Sequence, residues 1–402
     1  MTAPAGSRSV ALFDYFVADP HTLSAGRGKQ TAYGAIHFAL LEALCDEFDF
    51  TVFAIDFDNP RPDRIKFVRV PAVVLKPLAV LFITFHVSAL YVYVREILKR
   101  RKRFDVVQCV ESNFSLPTVS HAQFNHKAFL RKGWPIARPS GIRRPLRRID
   151  YQLRRTVEPL VYRKADRVVT SSKGLLEDIV ESYPWVADRA EIIQNAIDVT
   201  SHTRPDSFDP ATVRAPIGIG PDDTVLTFTA LGDFELKGML LIFEAMKQLG
   251  RDDLHFVSVG GPPPLVDAFS DRARAMGVGD HVHLMGMQPD VRPFLWSADA
   301  FVFPSAYESF SLATAHAAAA GLPLIVTPFH LAREIVDDGV NGYLVERSVA
   351  GIAKALEAFL ALTPDQRHEM GRRSRQGVEV FSPTRFVAGW RHVYDCLIDP
   401  MP

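Results

Sequence analysis

The carboxylate of Glu308 sits where chemistry is easy to imagine. It follows the apolar run ADAFVF and the short link PSAY, and eight residues later, past a stretch of Ser, Ala and Thr, stands His316. The pattern predicts a strand ending near Ser305 and a helix beginning between Ser309 and Leu312. A helix start presents unpaired backbone N–H groups and the positive end of the macrodipole, so an anion can seat there. Ser309, Ser311 and Ala313 are small enough to let a ligand approach the backbone. Beside such an anion Glu308 could accept hydrogen bonds from hydroxyl groups. A first-turn glutamate held only by the helix dipole accounts for the residue equally well.

Two more turns carry residue types suited to phosphate. In GDFELKGMLLIFEAM (232–246) Lys237 and Gly238 fall between a strand ending near Leu231 and a helix. A lysine in that place can reach a phosphate, and a surface lysine is the plainer alternative. In SAGRGKQTAYGAIHFALLEAL (24–44) Gly26 and Gly28 lie between the first strand and the first helix. The pair is not GxGxxG, and a tight strand-to-helix turn explains it as well as a phosphate loop does. Asp56 and Asp58, spaced as D-x-D, are expected to form a solvated turn rather than to hold a metal ion.

The elements that must position these residues are legible as alternation. SVALFDYFV (9–17), FTVFAID (50–56), FDVVQCV (104–110), ADRVVTSS (165–172) and AEIIQNA (190–196) have the apolar density of buried strands. After residue 224 the series restarts with TVLTFTAL, LHFVSVGG, HVHLMGM, ADAFVFPS, LPLIVTP and NGYLVE, with helix-period segments between them. Such alternation predicts parallel sheets covered by helices on both faces. The Pro, Ser and Asp-rich stretch near 200–222 breaks the period and is the expected hinge. The fold class is therefore α/β, with two doubly wound Rossmann-like domains. Their boundaries are expected at 1–200 and 223–383, with a linker at 201–222. Two such sheets facing each other would hold a ligand in the cleft at their carboxyl edges.

Length and composition narrow the classes. A chain of 402 residues with an apolar share of 48% is long enough for two cores and is neither disordered nor fibrous. Three widely spaced cysteines exclude a zinc knuckle and a disulfide framework, and with a polar start MTAPAGSRS they point to the cytoplasm. The formal net charge of zero hides an asymmetry: residues 1–200 carry 29 Lys and Arg against 21 Asp and Glu, which leaves 17 against 25 for the rest. KRRKR (99–103) and the arginine-rich stretch 129–155 make the first half basic. A basic face suits anionic lipid or a phosphorylated acceptor, or is simply solvated helix ends. No aromatic residues are interleaved as stacking platforms, so nucleic acid is not expected as a partner. PLAVLFITFHVSALYVYV (77–94) admits three readings: a membrane span, a buried crossover helix or an interfacial helix.

Taken in order, these pieces resemble the retaining family 4 glycosyltransferases of the GT-B fold. The pieces are Lys237-Gly238, Gly260-Gly261, ADAFVFPSAYESFSL (298–312), AAAAGLPLIVTP (317–328) and REIVDDGVNGYLV (333–345). KADRVVTSS (164–172) and IIQNAID (192–198) match more loosely, and the last helix, within 384–402, is similar to one that returns to the first domain. The resemblance implies transfer of a sugar from a nucleoside diphosphate sugar to an acceptor hydroxyl with retained configuration, without a metal or other cofactor. It implies that Glu308 contacts donor-sugar hydroxyls and that backbone groups of Ser309, Phe310, Ser311 and Leu312 line the sugar and diphosphate. Lys237 would hold the diphosphate, Met287 would lie along the nucleobase, and Gly26 and Gly28 would approach the phosphates. A histidine near the reacting sugar is either His121 or His126. The basic first half, rather than the resemblance, suggests that the acceptor is a glycan or lipid-linked intermediate met at an anionic membrane from the cytoplasmic side.

Two positions depart from the family pattern. The second carboxylate, expected at the nucleotide ribose, is replaced by His316. The arginine that accompanies the lysine would fall near Gly232 or Asp233, and Arg27 or Lys29 is the available substitute. These departures keep two other functions in view: a catalytically weak subunit that binds sugar nucleotide or lipid for a partner, and a nucleotide-sugar epimerase of the same fold.

Overall fold

A computed structural model describes residues 8–18, 32–75, 78–136 and 143–399. The chain divides into two compact units. The first comprises Met1–Arg131, Pro139–Ala196 and Pro383–Pro402; the second comprises Lys132–Arg138 and Ile197–Ser382.

Among the described residues the strands are β1 (Ser9–Phe13), β2 (Phe16–Val17), β3 (Asp49–Ala54), β4 (Asp56–Phe57), β5 (Lys66–Arg69), β6 (Val106–Val110), β7 (Val119–Ala122), β8 (Arg167–Thr170), β9 (Ala190–Ile192), β10 (Thr224–Thr229), β11 (Leu254–Val259), β12 (Val282–Leu284), β13 (Ala300–Phe303), β14 (Leu324–Val326) and β15 (Gly342–Leu344). The first unit holds a seven-stranded sheet in the order β5-β3-β1-β6-β7-β8-β9, and β2 pairs with β4 beside it. The second unit holds a six-stranded sheet ordered β12-β11-β10-β13-β14-β15. Every described strand pairing in both sheets is parallel. That is why β1, β6 and β11 are buried along their whole length: helices cover both faces.

Each sheet is wound outward from its first strand in two directions, so each has one topological switch point. It lies between β1 and β6 in the first unit and between β10 and β13 in the second. In open α/β sheets such a point, at the carboxyl edge of the strands, is where ligands bind.

The alanine-rich segment forms the helix Leu312–Ala319, with Ala315, Ala317, Ala318 and Ala319 buried. Small residues are needed because the helix Pro364–Val378 lies close by. A Cβ on Gly371 would stand only 2.0 Å from the carbonyl oxygen of Gly321. The stretch 197–222 packs as part of the second unit. There Arg214 donates to Asp299 Oδ2 at 3.0 Å and to the Ser297 carbonyl at 2.7 Å, and Trp296 Nε1 donates to the His202 carbonyl at 2.7 Å. The last helix, Pro383–Ile398, buries Trp390 and Tyr394 in the first unit, and the Tyr394 hydroxyl donates to Gln108 Oε1.

Candidate functional site

In the second unit the switch point gathers the residues singled out by type. Lys237 lies in the turn after β10, and Glu308 lies in the turn after β13, the neighbouring strand. Lys237 Nζ pairs with Glu308 Oε1, and the same oxygen accepts a hydrogen bond from Ser305 Oγ at 2.9 Å. Three residues beyond Glu308, Ser311 caps the helix Leu312–Ala319 with its side chain accepting from Thr314 N. Its backbone is left-handed, φ 72°, which turns the chain sharply into the helix. An amine, a carboxylate and a helix start therefore meet at one edge of one sheet.

The closeness of the two turns has a cause in Gly238. Its φ is 84°, and a Cβ there would stand 2.4 Å from the Pro304 carbonyl oxygen. Only glycine lets the turn lie against the end of β13. Ala306 N donates across to the Leu236 carbonyl at 2.9 Å. Arg347, just beyond β15, then ties the arrangement together. Its Nε donates to the Pro304 carbonyl at 3.0 Å, and Nη2 donates to the Glu235 carbonyl at 2.9 Å. Burial pulls the Arg347 pKa below its usual value, so the guanidinium relies on these carbonyls in place of water.

The remaining predicted positions separate. Phe310 points into the core, its ring 5.9 Å from that of Phe381, which leaves only its backbone for a ligand. Ser309 and Ser311 are nearly buried, whereas Met287, beyond β12, is 52% exposed. His316 stacks on His202, with ring centroids 4.2 Å apart and planes within 18°. Burial, and then the neighbouring His202, push the His316 pKa down to about 3. Gly26 and Gly28, like Arg27 and Lys29, lie outside the described residues.

The two candidate histidines of the first unit belong to different networks. His121 lies on the buried strand β7. Its Nδ1 meets His37 Nε2 at 2.9 Å, and His37 Nδ1 meets Asp14 Oδ2 at 2.9 Å. Beyond His121 the chain continues through Gln123, which exchanges hydrogen bonds with Asn195 at 2.8 and 3.0 Å. Trp390 closes the His121 ring from one side at 4.8 Å between centroids. Burial, and then His37, hold the His121 pKa well below the ordinary value, so the ring is neutral and can pass hydrogen-bond direction along the chain. His126 instead starts the helix His126–Lys132. Its Nδ1 and its backbone N–H both meet Glu158 Oε1 at 2.6 Å, and the Tyr183 hydroxyl donates to the other oxygen at 2.9 Å.

Several residues here had no voice in the sequence. Arg347 follows an ordinary strand, and nothing about VERS marks it. His37 had a signal that could have found it, a lone polar residue inside the apolar stretch AYGAIHFALL. Among the described residues no group of three or more His, Cys, Asp or Glu is arranged to hold a metal ion.

Two family models match complementary parts of the chain: "Glycosyltransferase Family 4" over residues 38–201 and "Glycosyl transferases group 1" over residues 222–361. Among curated relatives, D-inositol 3-phosphate glycosyltransferase of Nocardia farcinica is 29% identical over 254 residues, which is 60% of this chain and 53% of that protein. Alpha-maltose-1-phosphate synthase of Mycolicibacterium smegmatis is 25% identical over 258 residues, 60% of this chain and 64% of that protein. The matched segments thus span about half to two thirds of the length of these relatives. In fold the chain is similar to sucrose-phosphate synthase from Thermosynechococcus elongatus, with TM-score 0.75, 19% identity and coverage of 98% of this chain and 100% of that one. It is also similar to WaaG, a glycosyltransferase involved in lipopolysaccharide biosynthesis, with TM-score 0.71, 18% identity and coverage of 97% and 100%.

Proposed function

The chain belongs to the group 1 and family 4 glycosyltransferases, and on that footing we propose that it moves a sugar from a nucleoside diphosphate sugar to an acceptor hydroxyl, with the anomeric configuration retained. The observation that carries this reading is the meeting of Lys237, Glu308 and the start of the helix Leu312–Ala319 at the second unit's switch point. A diphosphate leaving group gathers negative charge as the glycosidic bond breaks. The Lys237 amine and the helix's unpaired N–H groups are fixed beforehand where that charge develops, so little reorganisation is needed. With a donor in place, Lys237 turns to the phosphate and Glu308 is free to accept from sugar hydroxyls. The positive charge comes from protein groups, so the scheme calls on no metal. The product is a glycan, polysaccharide or glycolipid made in the cytoplasm.

The test is a panel of nucleoside diphosphate sugars incubated with purified protein and hydroxyl acceptors, with products read by mass and anomeric configuration by NMR. Nucleoside diphosphate release that requires acceptor supports transfer. Donor binding with no turnover on any acceptor would instead favour the binding-subunit reading. Glu308→Gln is expected to abolish transfer while the melting curve stays cooperative. Lys237→Met should weaken nucleoside diphosphate binding by about tenfold or more, the value of one charge-assisted hydrogen bond. Transfer that survives Glu308→Gln unchanged removes this carboxylate from the mechanism.

A further inference from the structure

The helix Leu78–Arg100 connects β5 to β6 and has two apolar faces. One carries Leu81, Phe82, Phe85, Ala89 and Val92 into the core of the first unit. The other carries Val80, Ile83, Val87, Leu90, Tyr91, Val94 and Leu98, all exposed, with Ile83 at 51%, Val87 at 67%, Tyr91 at 66% and Leu98 at 71%. At 100° per residue these seven positions fall within an arc of about 100°. They form a continuous stripe about 27 Å long, from the 1.5 Å rise per residue.

The solvent-facing charges on the helix itself are of one sign. On this helix Glu96 is the only acid, and it is buried and paired with Lys66, so the charges facing solvent are those of Arg95, Lys99 and Arg100. Arg101, Lys102 and Arg103 continue the basic end. The neighbouring helix Arg143–Lys164 touches it where the Arg154 guanidinium lies 4.8 Å over the Phe82 ring. There too the acids, Asp150 and Glu158, are buried, while Arg144, Arg148 and Arg155 are exposed beside Leu146 and Ile149. Apart from Asp105, which is paired with Lys102, the solvent-facing charges on these segments are cationic, and apolar side chains beside them complement an anionic lipid surface: tails take the stripe and headgroups take the arginines and lysines. A membrane span is excluded by the opposite face, since withdrawing Phe85 and Ala89 would empty the core of the first unit.

We propose that the exposed face of Leu78–Arg100, with the basic run that ends it and the cationic face of Arg143–Lys164, docks the protein on the surface of an anionic membrane. The helix lies in the interface plane, its stripe among the acyl chains just below the headgroups. The inference deepens the transfer reading by making the acceptor a lipid-borne one that is met in the plane of the membrane.

The test is flotation of the full-length protein with phosphatidylcholine vesicles, with and without phosphatidylglycerol. The wild type is expected to float with the anionic vesicles, and far less with the neutral ones. Val87→Glu combined with Tyr91→Glu should weaken binding by about tenfold or more. Lys99→Glu with Arg103→Glu should do so in a salt-dependent manner. All four positions are exposed, so circular dichroism and the melting midpoint should not change. Equal binding to neutral and anionic vesicles, or unchanged binding by the Val87 and Tyr91 variant, overturns the proposal. So does a wild type that ignores vesicles and sediments as a dimer which Val87→Glu dissociates, because the stripe then belongs to a second copy. No turnover is read, so docking can fail while transfer stands, and transfer can fail while docking stands.

Discussion

Lowering the pH from 7.5 to 5.0 should cost the second unit about 2 kcal/mol through His316 alone. The folded protein holds this imidazole neutral, with its pKa at about 3, because burial and the stacked His202 oppose a charge there. In the unfolded chain the group keeps its ordinary value near 6.5. Below that value the unfolded state binds the proton first. Stability is therefore complete above pH 6.5 and falls with acid, by about 1.4 kcal/mol per unit, until the folded pKa is reached. At pH 5.0 the unfolded state is favoured by RT ln(1 + 10^1.5), or about 2 kcal/mol, and this figure hardly changes if the folded pKa is anywhere below about 4. Other histidines with lowered pKa values, among them His202, His255 and His283, add their own acid sensitivity. The comparison must therefore be made against His316→Phe, which keeps a flat ring on His202 and removes the titration. Native-state hydrogen exchange over residues 312–320 reads the local stability without assuming that both units unfold together. Wild type should lose about 2 kcal/mol more than the variant between the two pH values. Parallel losses in both proteins would show that His316 takes up a proton as readily when folded as when unfolded, and the packing argument fails.

Other consequences are simpler to state. Gly238→Ala adds a methyl 2.4 Å from the Pro304 carbonyl at a φ of 84°, so thermal unfolding should show a loss of about 1–3 kcal/mol, together with weaker nucleoside diphosphate binding. Arg347→Met takes the guanidinium donor from the carbonyls of Pro304, Glu235 and Leu236, with an expected cost of about 1–3 kcal/mol by denaturation. A shift of KM with kcat unchanged would mark Arg347 as positioning the Lys237 turn. Gly232→Arg puts a cation where the family pattern has one, and a Cβ there meets nothing within 4 Å. Calorimetry should show nucleoside diphosphates binding about tenfold tighter, and no gain would place the diphosphate elsewhere.

What could be foreseen from the sequence follows from how each feature is encoded. Most strands of the two sheets are short apolar runs, several of them buried along their whole length, so composition alone marks them, whereas the edge strand β5, KFVR, exposes three of its four residues and carries no such signal. Strand β7 escapes for a different reason: VSHA carries a serine and a histidine because its polar groups are satisfied inside the fold, so the run lacks the apolar density of the other buried strands. Lys237 and Glu308 were accessible because each stands at a strand-to-helix turn, a position with its own local pattern, and the strand order then makes the two turns neighbours. The Asp14, His37, His121, Gln123 and Asn195 chain has no local pattern that marks it as a network, although His37 stands alone in an apolar stretch. Its members come from four separate parts of the chain, and only the winding of the sheet brings them into contact. The same distinction applies to the long apolar helix. Its hydropathy cannot tell a span from a core helix or an interfacial one, because all three need apolar residues. The structure separates them by which face is occupied: Phe85 and Ala89 commit one side to the protein, and Val87 and Tyr91 leave the other to be covered by something else. A soluble core needs only the first commitment, so selection for folding explains one face of this helix, and the other calls for a partner.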